Sequence, residues 1–212
     1  VYGTEDSKWD AIVREVQEVH GQGRPVLIGT RSIDKSQILS SRLHQAGIVH
    51  DVLNANEVER EAEIVEHAGI SGRVTVATNM AGRGTDIKLG SGVAEKGGLH
   101  VICTELHDSA RIDRQLIGRC ARQGDPGSYR QFMSLGDKML EEAHGDQKAE
   151  KYKQLGVQVE GEANQYVGLL RKAQRKVEKK HFHDRSVMLH YEKERRRMQR
   201  EIGQDPYLDS AE

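Results

Sequence analysis

The positions of apolar residues divide the first 135 residues into alternating helical and strand-like stretches. From Ser7 to His20, Trp9, Ile12, Val13, Val16 and Val19 fall on one helical face, and Ser7 with Asp10 has the spacing of a capping box. The break Gly21 to Pro25 leads to Val26-Leu27-Ile28-Gly29-Thr30, a short apolar run of the kind that forms a buried parallel strand. A helix over Lys35 to Ala46 with Gly47 as its stop, a strand from His50 to Leu53 and a helix from Glu57 to Ala68 follow. Arg73 to Thr78 and Leu99 to Thr104 read as further strands, separated by the loop Asn79 to Asp86. Ser109 to about Arg122 reads as a helix and Tyr129 to Leu135 as a last strand. This alternation predicts an α/β fold, a parallel sheet with helices on both faces, whose ligands bind beyond the carboxyl ends of the strands.

The pattern changes after Gly145. Residues Gln147 to Glu201 are largely helical in character, although Gly156, Gly161 and Gly168 weaken the first part. Tyr166, Leu170, Ala173 and Val177 form a narrow apolar stripe on a very charged helix, which predicts a strut lying along another surface. The expected organisation is one domain over residues 1–145 and a helical extension over 146–212.

Charge sharpens this division. The net charge of −1 excludes a uniformly basic nucleic-acid binder, yet Arg171 to Arg200 holds 12 Lys/Arg against 4 Asp/Glu, a net of +8 that leaves −9 elsewhere. Apolar residues make up 36% and charged residues 31%, so part of the polar surplus is available for partners. Cys103 and Cys120 lack zinc-site spacing and read as buried thiols of a reducing compartment. His181, His183 and His190 do not form a ligand set, and no metal site is expected. No run reaches the ~18 apolar residues of a membrane span, so a soluble protein is expected. The chain opens on Val1, which suggests a piece of a longer protein.

The densest chemical signal is Ala77-Thr-Asn-Met-Ala-Gly-Arg-Gly-Thr-Asp-Ile87. Gly82 and Gly84 allow the backbone to approach an anion, Arg83 can reach a phosphate, and Asp86 can accept from a sugar hydroxyl or hold an arginine. The second is Gln115 to Gly127, in which Arg119 and Arg122, three apart on a predicted helix, emerge from one face and can clamp a charged group. Such guanidinium pairs suit the charge of a transferring γ-phosphoryl group. No GxxxxGK[ST] loop occurs in the 212 residues. A domain with arginines for a γ-phosphate and no phosphate loop makes sense if ATP binds between two similar domains.

These motifs resemble the SecA preprotein translocase ATPases, whose wider relatives are the RecA-like helicases with two motor domains. The likeness runs through Pro25 to Ser36, Val52 to Ala55, Glu59 to Val65, Thr75 to Gly90, Gly97 to Ile102 and Arg111 to Gly127. It implies a RecA-like second motor domain of the helicase C-terminal type, followed by the start of a long scaffold helix, best matched at Ala173 to Glu178. By the resemblance, Gly82, Arg83, Gly84 and Asp86 belong to a nucleotide-sensing motif, Arg119 and Arg122 act as arginine fingers, and Gln123 sits beside them. The implied cofactors are ATP and Mg2+, held mainly by a first motor domain. The implied partners are that domain, a SecY-type membrane channel and unfolded preprotein, at the cytoplasmic side of the bacterial plasma membrane.

Departures from the family pattern are Cys103 for glycine, Leu106 for arginine in Thr-Glu-Arg-His, Ile117 for arginine, and the segment from His181 onward, so a divergent paralogue is open. The alternatives are an RNA or DNA helicase-like ATPase and a non-catalytic scaffold. Few aromatic stacking platforms and an acidic α/β part argue against a nucleic-acid partner. The Arg195 to Arg197 run reads as a solvated helix end, with anionic lipid or RNA as the other reading.

Overall fold

The computed structural model describes residues 1–53, 64–78 and 86–201. Five strands form one all-parallel sheet: β1 (Val26–Thr30), β2 (Asp51–Leu53), β3 (Val74–Thr78), β4 (Leu99–Cys103) and β5 (Gly127–Gln131), in the spatial order β2-β3-β1-β4-β5. The three central strands are buried at every residue, including the polar Thr75 and His100, and the apolar run of β1 is what such burial requires. Val26 pairs with Val74 on one side and His100 on the other, so β1 lies at the centre and the chain winds outward from it in both directions.

Helices cover both faces. Trp9, Ile12 and Val16 of α1 (Glu5–Gly21) and Leu39 and Leu43 of α2 (Ile33–Gln45) pack on one face with Val26, Ile28, Val74 and Val76. On the other face, Leu27, Val101 and Cys103 meet Val65, from a stretch helical over residues 64–67, Ala68 in the turn after it, and Leu116 of α3 (Ala110–Ile117). The alternation of Val26, Leu27 and Ile28 between the two cores is the strand period of two.

Several boundaries differ from expectation. Helix α1 begins one turn early because Thr4, extended at φ −118°, is its N-cap: its Oγ1 accepts from the Ser7 N–H at 3.2 Å, and Ser7 Oγ accepts from the Thr4 N–H at 3.2 Å. Strand β5 begins two residues and ends four residues upstream of the expected Tyr129 to Leu135, because Leu99 to Cys103 pair with Gly127 to Gln131. The stop at Gly47 is as expected: φ +71° makes it a left-handed position after the Ala46 cap.

Beyond the sheet come α4 (Lys138–His144), α5 (Asp146–Val157) and the long α6 (Val167–Glu201). The helical region is interrupted between Val157 and Val167, with Gly161 at φ +67°. The apolar stripe of α6 does not await another surface along its first turns. Leu170, Ala173 and Val177 are buried in a third core with Leu106, Met133, Leu135, Met139 and Leu140. From His183 to Leu189 the same helix is exposed. Among the described residues, no helix is long and apolar enough to cross a membrane.

Candidate functional site

A cavity of about 320 Å³ opens at the carboxyl ends of β2 and β3, with Leu53, Ala77, Thr78 and, lower on β1, Leu27 on the sheet side and Leu116, Arg119 and Arg122 on the other. Helix α3 approaches the sheet closely because Gly29 leaves room: a methyl group there would lie 2.2 Å from Leu116 Cδ2. That contact sets the height of the arginine-bearing segment over the strand ends.

The single helix expected to carry both arginines is not what forms. Helix α3 ends at Ile117, with the Gly118 N–H bonded to Arg114 O at 2.8 Å. A turn follows, in which the Arg119 N–H donates to Leu116 O at 3.0 Å and the Cys120 N–H to Ile117 O at 3.1 Å. Ala121 then takes the left-handed conformation at φ +55°, and Arg122–Gly124 form one turn of 3-10 helix. The left-handed residue costs on the order of 1 kcal/mol and redirects the chain. Arg119 and Arg122 therefore do not share a helical face, although both line the same cavity.

Arg122 Nη1 donates to Asp86 Oδ1 at 2.5 Å, and Arg122 Nε donates to Gly118 O at 3.3 Å. Of the two uses open to Asp86, the contact present is with an arginine. Both side chains are 38% exposed, so the pair stays accessible to an anion that could compete for the guanidinium. Gly82, Arg83 and Gly84 lie outside the described residues, as do most of the positions expected to form the helix from Glu57 to Ala68; the Gln123 side chain is likewise outside them.

Three departures noted in the sequence occupy packed positions. Cys103 and Leu106 are almost fully buried, and Ile117 is partly buried against the second core. Apolar contact stands where the resemblance would put charge or a glycine. Burial pushes the Cys103 thiol up to about 12, and that of Cys120 upward as well, so both cysteines are buried thiols, as expected.

The structure also shows polar residues that the sequence reading missed. Asp113 on α3 is buried and accepts from the His107 N–H at 3.0 Å and from Gln174 Nε2 at 2.6 Å, with His107 Nδ1 at 2.6 Å. Burial would raise its carboxyl group, but the hydrogen bonds from His107 and Gln174 hold it below the usual carboxylate range. A signal was present: Gln174 stands four residues after Leu170 and three before Val177, at a core position of the α6 stripe.

An open parallel sheet wrapped on both faces, with arginines at its carboxyl edge and a long C-terminal helix after it, defines a RecA-like fold. The E. coli DEAD-box protein SrmB, solved bound to regulator of ribonuclease activity A, shares this fold at a TM-score of 0.52 and 23% identity, over 65% of this chain and 76% of that one. The family model for the SecA P-loop domain matches residues 1–95 and 91–160. Protein translocase subunit SecA 2 of Rhodopirellula baltica is 63% identical over 212 residues, 100% of this chain and 32% of its own length. Protein translocase subunit SecA of Desulfotalea psychrophila is 48% identical over 194 residues, 91% of this chain and 23% of its own length. The chain belongs to the SecA family and spans about a third or less of the length of these relatives.

Proposed function

We propose that the chain is the second motor domain of an ATP-driven SecA-type protein translocase, with the start of its helical scaffold. It would close over ATP bound mainly to a first motor domain and couple hydrolysis to preprotein export. The observation that carries this reading is the placement of Arg119 and Arg122 in one cavity at the carboxyl edge of the sheet, with Arg122 paired to Asp86. The division into residues 1–145 and 146–212 is part of the proposal.

The donor set fits one part of a nucleotide. The two guanidinium groups suit γ-phosphate oxygens, Asp86 can release or hold Arg122, and Gly82, Arg83, Gly84 and Gln123 are assigned to the same face of the cleft from the sequence. The β-phosphate and Mg2+ fall to the other domain, because these 212 residues contain no GxxxxGK[ST] sequence. ATP supplies a phosphoryl group whose charge spreads over its oxygens as it transfers. The work of this chain is to meet that charge with arginines fixed in place. A SecY-type channel, an unfolded preprotein and anionic lipid are the partners this reading assigns, at the cytoplasmic face of the bacterial membrane.

Replacing Arg119 by alanine in the full-length protein should lower ATPase turnover by about 10³-fold or more, the usual effect of losing an arginine finger. Unchanged turnover would instead support a non-catalytic scaffold. The 212 residues alone are expected to turn over no ATP.

A further inference from the structure

Helix α6 touches α3 through polar groups at three successive positions. Arg171 Nη1 lies 3.7 Å from Asp113 Oδ2, Gln174 Nε2 donates to Asp113 Oδ2 at 2.6 Å and to His107 O at 2.9 Å, and Glu178 Oε1 accepts from Ser109 Oγ at 2.7 Å. Arg171 also donates to Gln131 at the end of β5, which ties the joint to the sheet. Ser109 is the N-cap of α3 and Asp113 sits in its first turn, so the contacts of Arg171, Gln174 and Glu178 with these two residues grip the same end of that helix.

The opposite end of α3 leads through one turn into Arg119 and, past the left-handed Ala121, into Arg122. The helix is 8 residues long, or roughly 12 Å at the standard rise. Leu116 bears on Gly29 between the two ends. A short helix held at one end by α6 and resting on the sheet near the other fixes the arginine-bearing turn relative to both. Gln174 and Asp113 are both 2% exposed. A buried amide and carboxylate lose a great deal if parted, so the joint has few ways to slip.

We infer that Gln174, through Asp113, is a positioning residue that sets the arginine-bearing turn relative to α6 and so links the scaffold helix to phosphoryl transfer. This rests on the proposed ATPase function. It adds a specific contact through which the long helix and the cleft exchange mechanical information.

The test uses the full-length protein carrying Gln174→Met, which keeps an unbranched side chain of similar size and removes the donor. Turnover number should fall roughly 10- to 100-fold, the scale of a small misplacement of catalytic groups, while KM for ATP changes little. Gln174→Asn, which keeps the amide but draws it back from Asp113, should give an intermediate loss and serves if the first variant folds poorly. Combining Gln174→Met with Asp113→Asn should cost no more than the worse single change, as expected for one joint. Leu170→Val, a core change on the same helix, should lower Tm without this loss of turnover. If Gln174→Met and Gln174→Asn lower Tm but leave turnover at the wild-type value while Arg119→Ala abolishes it, the joint is only structural and the inference fails. Undiminished turnover in Arg119→Ala would overturn the arginine assignment itself, and the joint's catalytic role with it.

Discussion

Lys8 is the least expected side chain in the core. It is fully buried in α1, with Nζ 2.5 Å from Asp137 Oδ1, and Asp137 also accepts from the Ser134 N–H and Oγ at 2.8 and 2.7 Å. Removing one member of such a pair leaves an uncompensated charge. Lys8→Ala should therefore destabilise the fold by about 3–5 kcal/mol in denaturant titration, and a Lys8→Met, Asp137→Asn double variant should recover part of the loss. Nothing in the apolar pattern marked Lys8, because a lysine next to Trp9 on an amphipathic helix reads as solvated. The same holds for Asp113, whose partner Gln174 comes from 61 residues away. Arg119, Arg122 and Asp86 stood out in the sequence by their motifs, and the structure brings the two arginines to one cavity with Asp86 paired to Arg122. What the spacing could not reveal was Ala121: a three-residue interval suggested one helical face, and only the left-handed backbone there shows that the two arginines reach the cavity from separate turns.

At the scale of elements, the short, largely apolar segments of β1, β3 and β4 and the periodic faces of α1 and α2 marked the sheet and its first covering layer. Periodicity reports burial and little else, so it served well where a whole face is buried. It said less about α5, which depends on a close backbone approach. A methyl group on Gly156 would stand 2.1 Å from Gly3 O, and one on Gly3 the same distance from Gly156 O. The obstacle is main chain on both sides and cannot turn aside. Gly156→Ala should therefore lower Tm and raise amide exchange in α5 and its neighbours, with a cost of about 1–3 kcal/mol, as for other overpacked sites. A substitution at Gly161, whose surroundings are open, would act through its φ of +67° alone.

Across the whole molecule, a polar chain joins the first helix, the sheet and the segment before α6. His100 on β4 lies 3.3 Å from Glu15 on α1, Glu15 also pairs with Arg130 on β5, and Arg130 pairs with Glu162. Burial, the largest influence, holds His100 below its ordinary value, with Arg24 and Arg130 adding to the effect and Glu15 opposing it. The unfolded chain then takes up a proton at His100 before the folded one does. Its contribution to stability is present above about pH 6.5 and is lost as pH falls through the lower folded value. Thermal unfolding followed from pH 7.5 to 5 should show this decline, and His100→Gln should flatten it.

The first residues of the chain also bear on how it is made. Tyr2 donates its backbone N–H to Met133 O at 2.8 Å, and its hydroxyl donates to Glu162 Oε1, 160 residues further on. On a ribosome adding about 5–20 residues per second, Tyr2 waits roughly 8 to 30 s for that partner to be synthesised. The sheet can assemble during this delay, but the seam joining Val1 to Gly3 with residues 133–163 cannot close until those residues are made, and its apolar lining stays open until then.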